Sequence, residues 1–336
     1  MPWLKDEAMP AFLAALQSQG RLWVPVEEEW GSCLAVWEEK SLRLTPGPTL
    51  LAAKGLFLPQ TEKLFHYRVE AEGAVISESE PPAAAARQIV FGLRPCDVAA
   101  VAVMDKVFLD GGYVDCAYRA RREASALVAL ACREAAPTCF CRAFGLDPLA
   151  APGADVLLLP LEGGYLVRAQ TAKGEELLAQ AQGVLAQEPA LDWPAPPAFL
   201  LEVTAAGVPA KLAAMFDHPL WDNLYQKCLG CGICTYLCPT CYCFDVQSAD
   251  RGTEGYRYRC WDSCMFPEYT LMAGGHNPRP TKKERVRNRF LHKLCYLPER
   301  FGVFGCVGCG RCLLKCPVNL DIAAVLKKVQ EVGTHV

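Results

Sequence analysis

The chain has 336 residues and lacks most signatures by which enzymes bind nucleotides or hydrolyse bonds. No G-x-x-x-x-G-K-[ST] loop occurs, and no G-x-G-x-x-G follows a strand-like run, so neither phosphate-cradling fingerprint is present. The five histidines never fall into H-E-x-x-H, which removes a common hydrolytic zinc site. A dominant charge sign is missing as well. The net charge of −3 gives no pull toward nucleic acid or an anionic membrane. No uncharged apolar run approaches the length of a bilayer span. The first twenty residues carry Asp6 and Glu7 where a signal peptide has basic residues, and they read as an amphipathic helix. These absences point to a soluble, cytoplasmic protein with no evident means of handling hydride or substrate itself.

Cysteine is what the chain has in excess, 19 in all. In a small secreted protein such a count would mean a disulfide framework, but here the spacing points to metal and a reducing compartment. CLGCGICTYLCP from Cys228 and CVGCGRCLLKCP from Cys306 are both C-x2-C-x2-C-x3-C-P. Bacterial-type ferredoxins hold [4Fe–4S] clusters with this run, and the fourth cysteine of each run ligates the other cluster. The rule assigns one cluster to Cys228, Cys231, Cys234 and Cys316, and the second to Cys306, Cys309, Cys312 and Cys238. Each corner iron needs a soft anionic sulfur, and two-residue spacers let one tight loop present three. Gly230, Gly232, Gly308 and Gly310 allow the positive φ such loops use. Zinc is the plain alternative, but zinc sites usually show two separated C-x2-C pairs.

The remainder reads as α+β, with an N-terminal α/β domain over 1–205 and a ferredoxin-like two-cluster domain with a long insertion over 206–336. QIVFGL (88–93) and ALVALAC (126–132) read as buried strands. The segment 155–169 reads as a hairpin turning at Gly163-Gly164. Asp97 is placed to cap a helix after the first of these strands. The proline-rich segment 187–203 marks the domain junction, and Asp217 with Pro219 marks a helix start leading into the first cysteine run. The sheet order cannot be read. In the insertion, RPTKKERVRNRFLHKL reads as a solvated helical face, with docking of an acidic partner as the functional alternative.

Eleven cysteines lie outside the two sets of four. Cys33, Cys116 and Cys295 read as small hydrophobes. Cys96 and Cys132 follow predicted strands, the end of a parallel sheet where sites are built. Cys139 and Cys141 share the next loop, and Cys241, Cys243 and Cys264 lie downstream of the first cluster loop. The functional reading of these seven is a third metal centre, a further [4Fe–4S] cluster, at the domain junction. Spacing does not choose the four, and burial as inert thiols competes with it.

Several segments together resemble a known family. HPLWDNLYQKCLGCGICTYLCPTCYCFDV (218–246), SCMFPEYTLMAGGH (263–276), CVGCGRCLLKCP (306–317), FGLRPCDVAAV (91–101) and CFC (139–141) are similar to the iron–sulfur subunit of anaerobic sulfite reductase and the beta subunit of soluble sulfhydrogenases. The resemblance implies an electron-relay subunit in a cytosolic hetero-oligomer. Its neighbours would be an NAD(P)H-linked flavin subunit and a separate catalytic redox subunit of sulfite reductase, hydrogenase or heterodisulfide reductase type. It also sharpens the interest in the same seven cysteines, and gives Cys260 less weight. Two other classes compete: a self-sufficient iron–sulfur enzyme holding flavin or substrate in its N-terminal domain, and a redox sensor. A sensor would be expected to carry a DNA-binding element, and no helix-turn-helix-like segment is read.

Overall fold

A computed structural model describes residues 2–38, 42–78, 87–187 and 194–332. Residues 188–193 of the predicted junction lie outside the described residues. The chain opens with β1 (Pro2–Lys5), α1 (Met9–Gln17), β2 (Arg21–Glu28), β3 (Gly31–Val36), the short α2 (Lys54–Phe57), β4 (Thr61–Glu70) and β5 (Gly73–Glu78). It continues through β6 (Gln88–Leu93), α3 (Pro95–Phe108), α4 (Cys116–Ala124), β7 (Ser125–Leu130), β8 (Val156–Leu161), β9 (Gly164–Ala169), α5 (Ala172–Ala179) and β10 (Ala186–Gln187). The C-terminal part holds α6 (Val208–Ala214), α7 (Leu220–Lys227), α8 (Ile233–Tyr236), β11 (Phe244–Arg251), β12 (Glu254–Trp261), α9 (Lys282–Leu291), α10 (Leu297–Phe301), α11 (Arg311–Lys315) and α12 (Ile322–Glu331).

The fold is α+β, as read from the sequence. Eight strands form one mixed sheet in the order β10-β1-β9-β8-β7-β6-β2-β3, with β2, β6, β7 and β8 running parallel. Parallel strands must be covered on both faces, which is why their residues are almost continuously apolar. Alternate side chains serve opposite layers. Ile89, Phe91, Val128 and Leu158 pack with Phe12, Leu16 and Leu177 of α1 and α5. Val90, Leu127, Ala129 and Leu157 pack with Val101, Met104 and Tyr118 of α3 and α4. The β8–β9 hairpin forms as expected, but it turns one residue earlier, at Glu162-Gly163, with Gly164 already in β9 opposite Leu161.

Two further local expectations are corrected. The N-terminal segment is not one helix, because Trp3 and Leu4 pair with Leu166 and Tyr165 of β9 before α1 begins. Their burial at the sheet edge outweighs local helix preference. Asp97 is not the cap itself. Arg94 occupies that position, and Asp97 three residues on accepts a hydrogen bond from the Arg94 N–H at 3.2 Å, closing a capping box.

A second sheet, ordered β11-β12-β4-β5, is antiparallel and draws its two hairpins from distant parts of the chain. Buried Arg259 of β12 fastens it to α4, pairing with Glu62 at 2.6 Å and with Asp115. Behind the cysteine runs, α6, α7, α9 and α12 enclose a third core around Trp221, Phe290 and Leu326. A π-helical turn at His292–Tyr296 follows α9 directly, and such turns recur at functional sites.

His292 in that turn bears on stability. Burial, then Lys293 and Arg279, push its pKa down from 6.5 to about 4, while its Nε2 meets the Tyr242 hydroxyl at 3.2 Å. A depressed histidine pKa means that the unfolded chain binds the proton first. The contribution is present above pH 6.5 and is lost as pH falls toward 4. Denaturant midpoints of wild type and His292→Gln, measured from pH 7.5 to 4, should therefore converge on acidification. The expected difference in pH dependence is about 3 kcal/mol; parallel curves would refute it.

Candidate metal centres

The first cysteine run lies between α7, which ends at Lys227, and the single turn of α8. Cys228, Cys231 and Cys234 line one cavity together with Cys316 of the second run, and Leu229, Met265, Arg289 and Leu320 complete its wall. The first predicted set thus surrounds one space. Backbone N–H groups already point at its sulfurs, Gly230 to Cys228 at 3.3 Å and Leu320 to Cys316 at 3.2 Å. Cys231 and Leu229 are exposed, so one corner of this set reaches the surface.

Cys306 and Cys309 lie in the loop before α11 and Cys312 in its first turn, and Cys238 acts electrostatically on all three. Burial pushes the Cys306 thiol up to about 12, and metal ligation is what would remove such a proton near neutrality. Cys238 differs from its partners. Hydrogen bonding from Cys241 is the largest influence holding it well below the ordinary thiol range, helped by the Lys293 ammonium and the Thr240 hydroxyl. Lys293 Nζ lies 3.2 Å from Cys238 Sγ and donates to the Gly305 carbonyl at 2.8 Å.

Of the seven cysteines named for a third centre, four share a cavity: Cys96, Cys132, Cys139 and Cys141. Because β6 and β7 are parallel neighbours, Cys96 and Cys132 leave the same end of the sheet. Cys139 and Cys141 reach it from the following loop, which is clamped to the second cysteine run. Phe140 N–H donates to the Gly308 carbonyl at 2.8 Å. Gly308 has φ +62°, and a Cβ there would lie 2.5 Å from the Phe140 carbonyl, so no larger residue fits. Burial raises Cys139 to about 11 and Cys141 to about 12. Cys241, Cys243 and Cys264 are not on this cavity: Cys241 interacts with Cys238, and Cys243 with Cys264, all four as free thiols.

The basic stretch is not a solvated face. Arg285, Arg289 and Lys293, four residues apart, are all buried beside Val286, Phe290 and Leu294. Arg289 is only 2 % exposed, and among the described residues none of its guanidinium nitrogens has a hydrogen-bond acceptor. The cysteines that bear on it electrostatically are Cys234 of the first set, Cys312 and Cys238 of the second, and Cys241. Arg311 fills the equivalent place between the second and third sets. It is also 2 % exposed, reaches Asp97 at 2.7 Å and feels Cys309 and Cys96. An uncompensated guanidinium inside a protein is costly, and thiolates around a metal cluster would supply the missing negative charge. The residues present therefore fit cysteine-held clusters. Reasoning from spacing alone missed both arginines; for Arg289 the i, i+4, i+8 cationic stripe with an apolar stripe alongside was the available signal, and for Arg311 there was none.

Of the cysteines taken as packing residues, Cys295 is buried in the C-terminal core, Cys33 is half-buried and Cys116 is exposed. Cys260 is half-buried on β12, opposite Asp245 and Thr61.

Residues 227–320 match the 4Fe-4S dicluster domain family. No solved structure matches the chain. The Sulfhydrogenase 2 subunit beta of Pyrococcus furiosus is 33% identical to it, across 98% of both chains. Identity at that level over nearly the whole length shows that the protein belongs to the family of sulfhydrogenase beta subunits, the iron–sulfur electron-transfer subunits of an oxidoreductase.

Proposed function

We propose that the chain is the relay of a cytoplasmic multi-subunit oxidoreductase, carrying electrons between an NAD(P)H-linked flavin subunit and a separate catalytic subunit. The sets Cys228/Cys231/Cys234/Cys316 and Cys306/Cys309/Cys312/Cys238 would each hold a [4Fe–4S] cluster, and Cys96/Cys132/Cys139/Cys141 a third. Such a cluster stores and releases single electrons, at potentials governed by net charge, hydrogen bonds to sulfur and solvent exposure. The chain's own residues supply those controls. Arg289 and Arg311 place fixed positive charge in the two gaps between neighbouring sets, and Lys293 donates toward Cys238. The observation that carries the reading is this alternation of thiol sets and buried arginines from the sheet end to exposed Cys231.

Anaerobically purified protein should contain about twelve irons and about twelve labile sulfides per chain. Cys139→Ala in the whole chain should lower both to about eight, while the spectra of the other two clusters persist. A wild-type value near eight that the variant leaves unchanged would remove the third cluster. Zinc without sulfide would remove all three. Bound flavin in the purified chain would favour the self-sufficient enzyme over the relay. Isolation of the native complex then names the catalytic partner by its cofactor.

A further inference from the structure

Around the opening of the first cysteine set lies a surface that the relay reading leaves unused. Leu229, Cys231 and Pro317, all on the wall of that cavity, are exposed. The loop 263–282 starts and ends against the same cysteine run. A Cβ on Gly232 would lie 2.9 Å from the Phe266 ring, and one on Gly230 3.7 Å from the Met265 carbonyl. At the far end Lys282 Nζ donates to the Cys228 carbonyl at 3.0 Å. Between these anchors Asn277 braces the loop, donating to the Pro267 carbonyl and accepting from the Thr270 hydroxyl, both at 2.7 Å. The tip held out in this way is LMAGGH (271–276), exposed throughout. Leu271 and Met272 are 54 % and 58 % exposed, and Leu229 64 %. A loop braced to keep large apolar side chains in water marks a surface for a partner. Charge is the second observation. Residues 227–239, 263–282 and 306–317 carry one carboxylate, Glu268, although the whole chain has 37 acidic residues against 34 basic. Outside the core the same stretches carry Lys227, Arg279, Lys282 and Lys315. Lys227 and Lys315 directly precede Cys228 and Cys316, are exposed, and have no ion-pair partner among the described residues, whereas nearby Lys283 is paired with Asp222 at 2.7 Å. Permanent subunit interfaces are large and depleted in charge at their centre, while electron-transfer encounters are small. A few apolar side chains edged by unpaired lysines fit the second kind, with an acidic partner.

We propose that this face, with Leu229, Leu271 and Met272 edged by Lys227, Lys282 and Lys315, docks the acidic face of a small soluble one-electron carrier protein; it deepens the relay reading and rests on it. The lysines steer the encounter, and the apolar side chains then exclude water from the contact. One electron passes from the reduced centre of the carrier to the oxidised cluster on Cys228, Cys231, Cys234 and Cys316. No covalent bond changes and no proton moves. The carrier thus gives the chain an electron route besides its flavin and catalytic subunits.

The probe is an acidic bacterial-type ferredoxin, mixed with the native complex purified anaerobically. Carbodiimide coupling joins an amine only to a carboxylate in contact with it. Peptide mapping should find ferredoxin linked to Lys227 or Lys315, and about 0.5 M NaCl should abolish the link. In stopped flow, the second-order rate at which reduced ferredoxin is oxidised should fall at least about tenfold over the same change in salt. It should fall as far at low salt when Lys227→Glu is combined with Lys315→Glu, and several-fold in Met272→Asp. Reduced methyl viologen needs no docking surface and should reduce the clusters of every variant at no less than the wild-type rate. Absent coupling, coupling elsewhere on the complex, or a ferredoxin rate indifferent to salt and to the variants would overturn the docking face. So would an equal fall in the viologen rate, because the substitutions would then act on the cluster. Release of a flavin or catalytic subunit by the variants would make that subunit the occupant and overturn the carrier. The two readings fail separately. Viologen reduction of a fully loaded complex that does not couple ferredoxin sinks the docking face alone, whereas a complex without clusters sinks the relay reading.

Discussion

Cys316→Ala should remove the cluster of the first cysteine run, although Cys316 belongs to the second. Cys316 lines the cavity of Cys228, Cys231 and Cys234, and its sulfur already accepts from the Leu320 N–H. The converse holds for Cys238→Ala, because Cys238 acts on Cys306, Cys309 and Cys312. Each variant should lose about four irons, with the remaining clusters intact. EPR of the reduced protein reads the outcome, since the interaction between neighbouring centres disappears with either one. If each variant lost the cluster of its own run, the crossover would be wrong.

Arg289→Met should lower the midpoint potentials of the first and second clusters together. Among the described residues the guanidinium has no hydrogen-bond acceptor, and Cys234, Cys312, Cys238 and Cys241 bear on it electrostatically. Two unit charges about 7 Å apart, at an effective dielectric near 20, interact by about 2 kcal/mol, or roughly 100 mV for one electron, which sets the scale of the expected shift. Methionine keeps the length and apolar contacts of the side chain, including the neighbourhood of the Phe290 ring. Potentiometric titration of the variant and of Arg289→Lys separates charge from packing, because lysine should retain most of the potential. Unchanged potentials in Arg289→Met would show that the charge is compensated elsewhere. The corresponding change at Arg311 would break the ion pair with Asp97 as well, so its effect mixes fold stability with potential.

Short-range signals carried much of this through the primary sequence. The crossover sets were assigned from cysteine spacing alone, and the β8–β9 hairpin was read from two adjacent glycines between apolar runs. The strand ends at Cys96 and Cys132 were readable because a buried parallel strand is continuously apolar and stops sharply. What could not be read depends on contacts between distant segments. That Cys139 and Cys141 join Cys96, and Cys243 does not, is decided by the close approach of Gly308 to Phe140. The burial of Arg285, Arg289 and Lys293 reverses the usual reading of a basic stretch. Charges pass as solvent-facing in a sequence unless the buried counter-charge is already suspected. The N-terminal segment misled for the same reason, since only β9 makes a strand of Trp3 and Leu4.

The second sheet has a consequence for biosynthesis. The β4–β5 hairpin is complete at Glu78, but its pairing partner β12 begins only at Glu254. At translation rates of about 5–20 residues per second, the hairpin waits roughly 10–40 s for that partner. A lone two-stranded hairpin is marginal in water, so β4 presents an open edge during this interval. The cysteines at the β6 and β7 strand ends emerge within the same interval, before the Gly308 loop that closes over them. Iron delivered to the nascent chain would meet an incomplete cradle. The topology thus places closure of the β12–β4 seam, and of the Gly308 loop over these cysteines, late in synthesis.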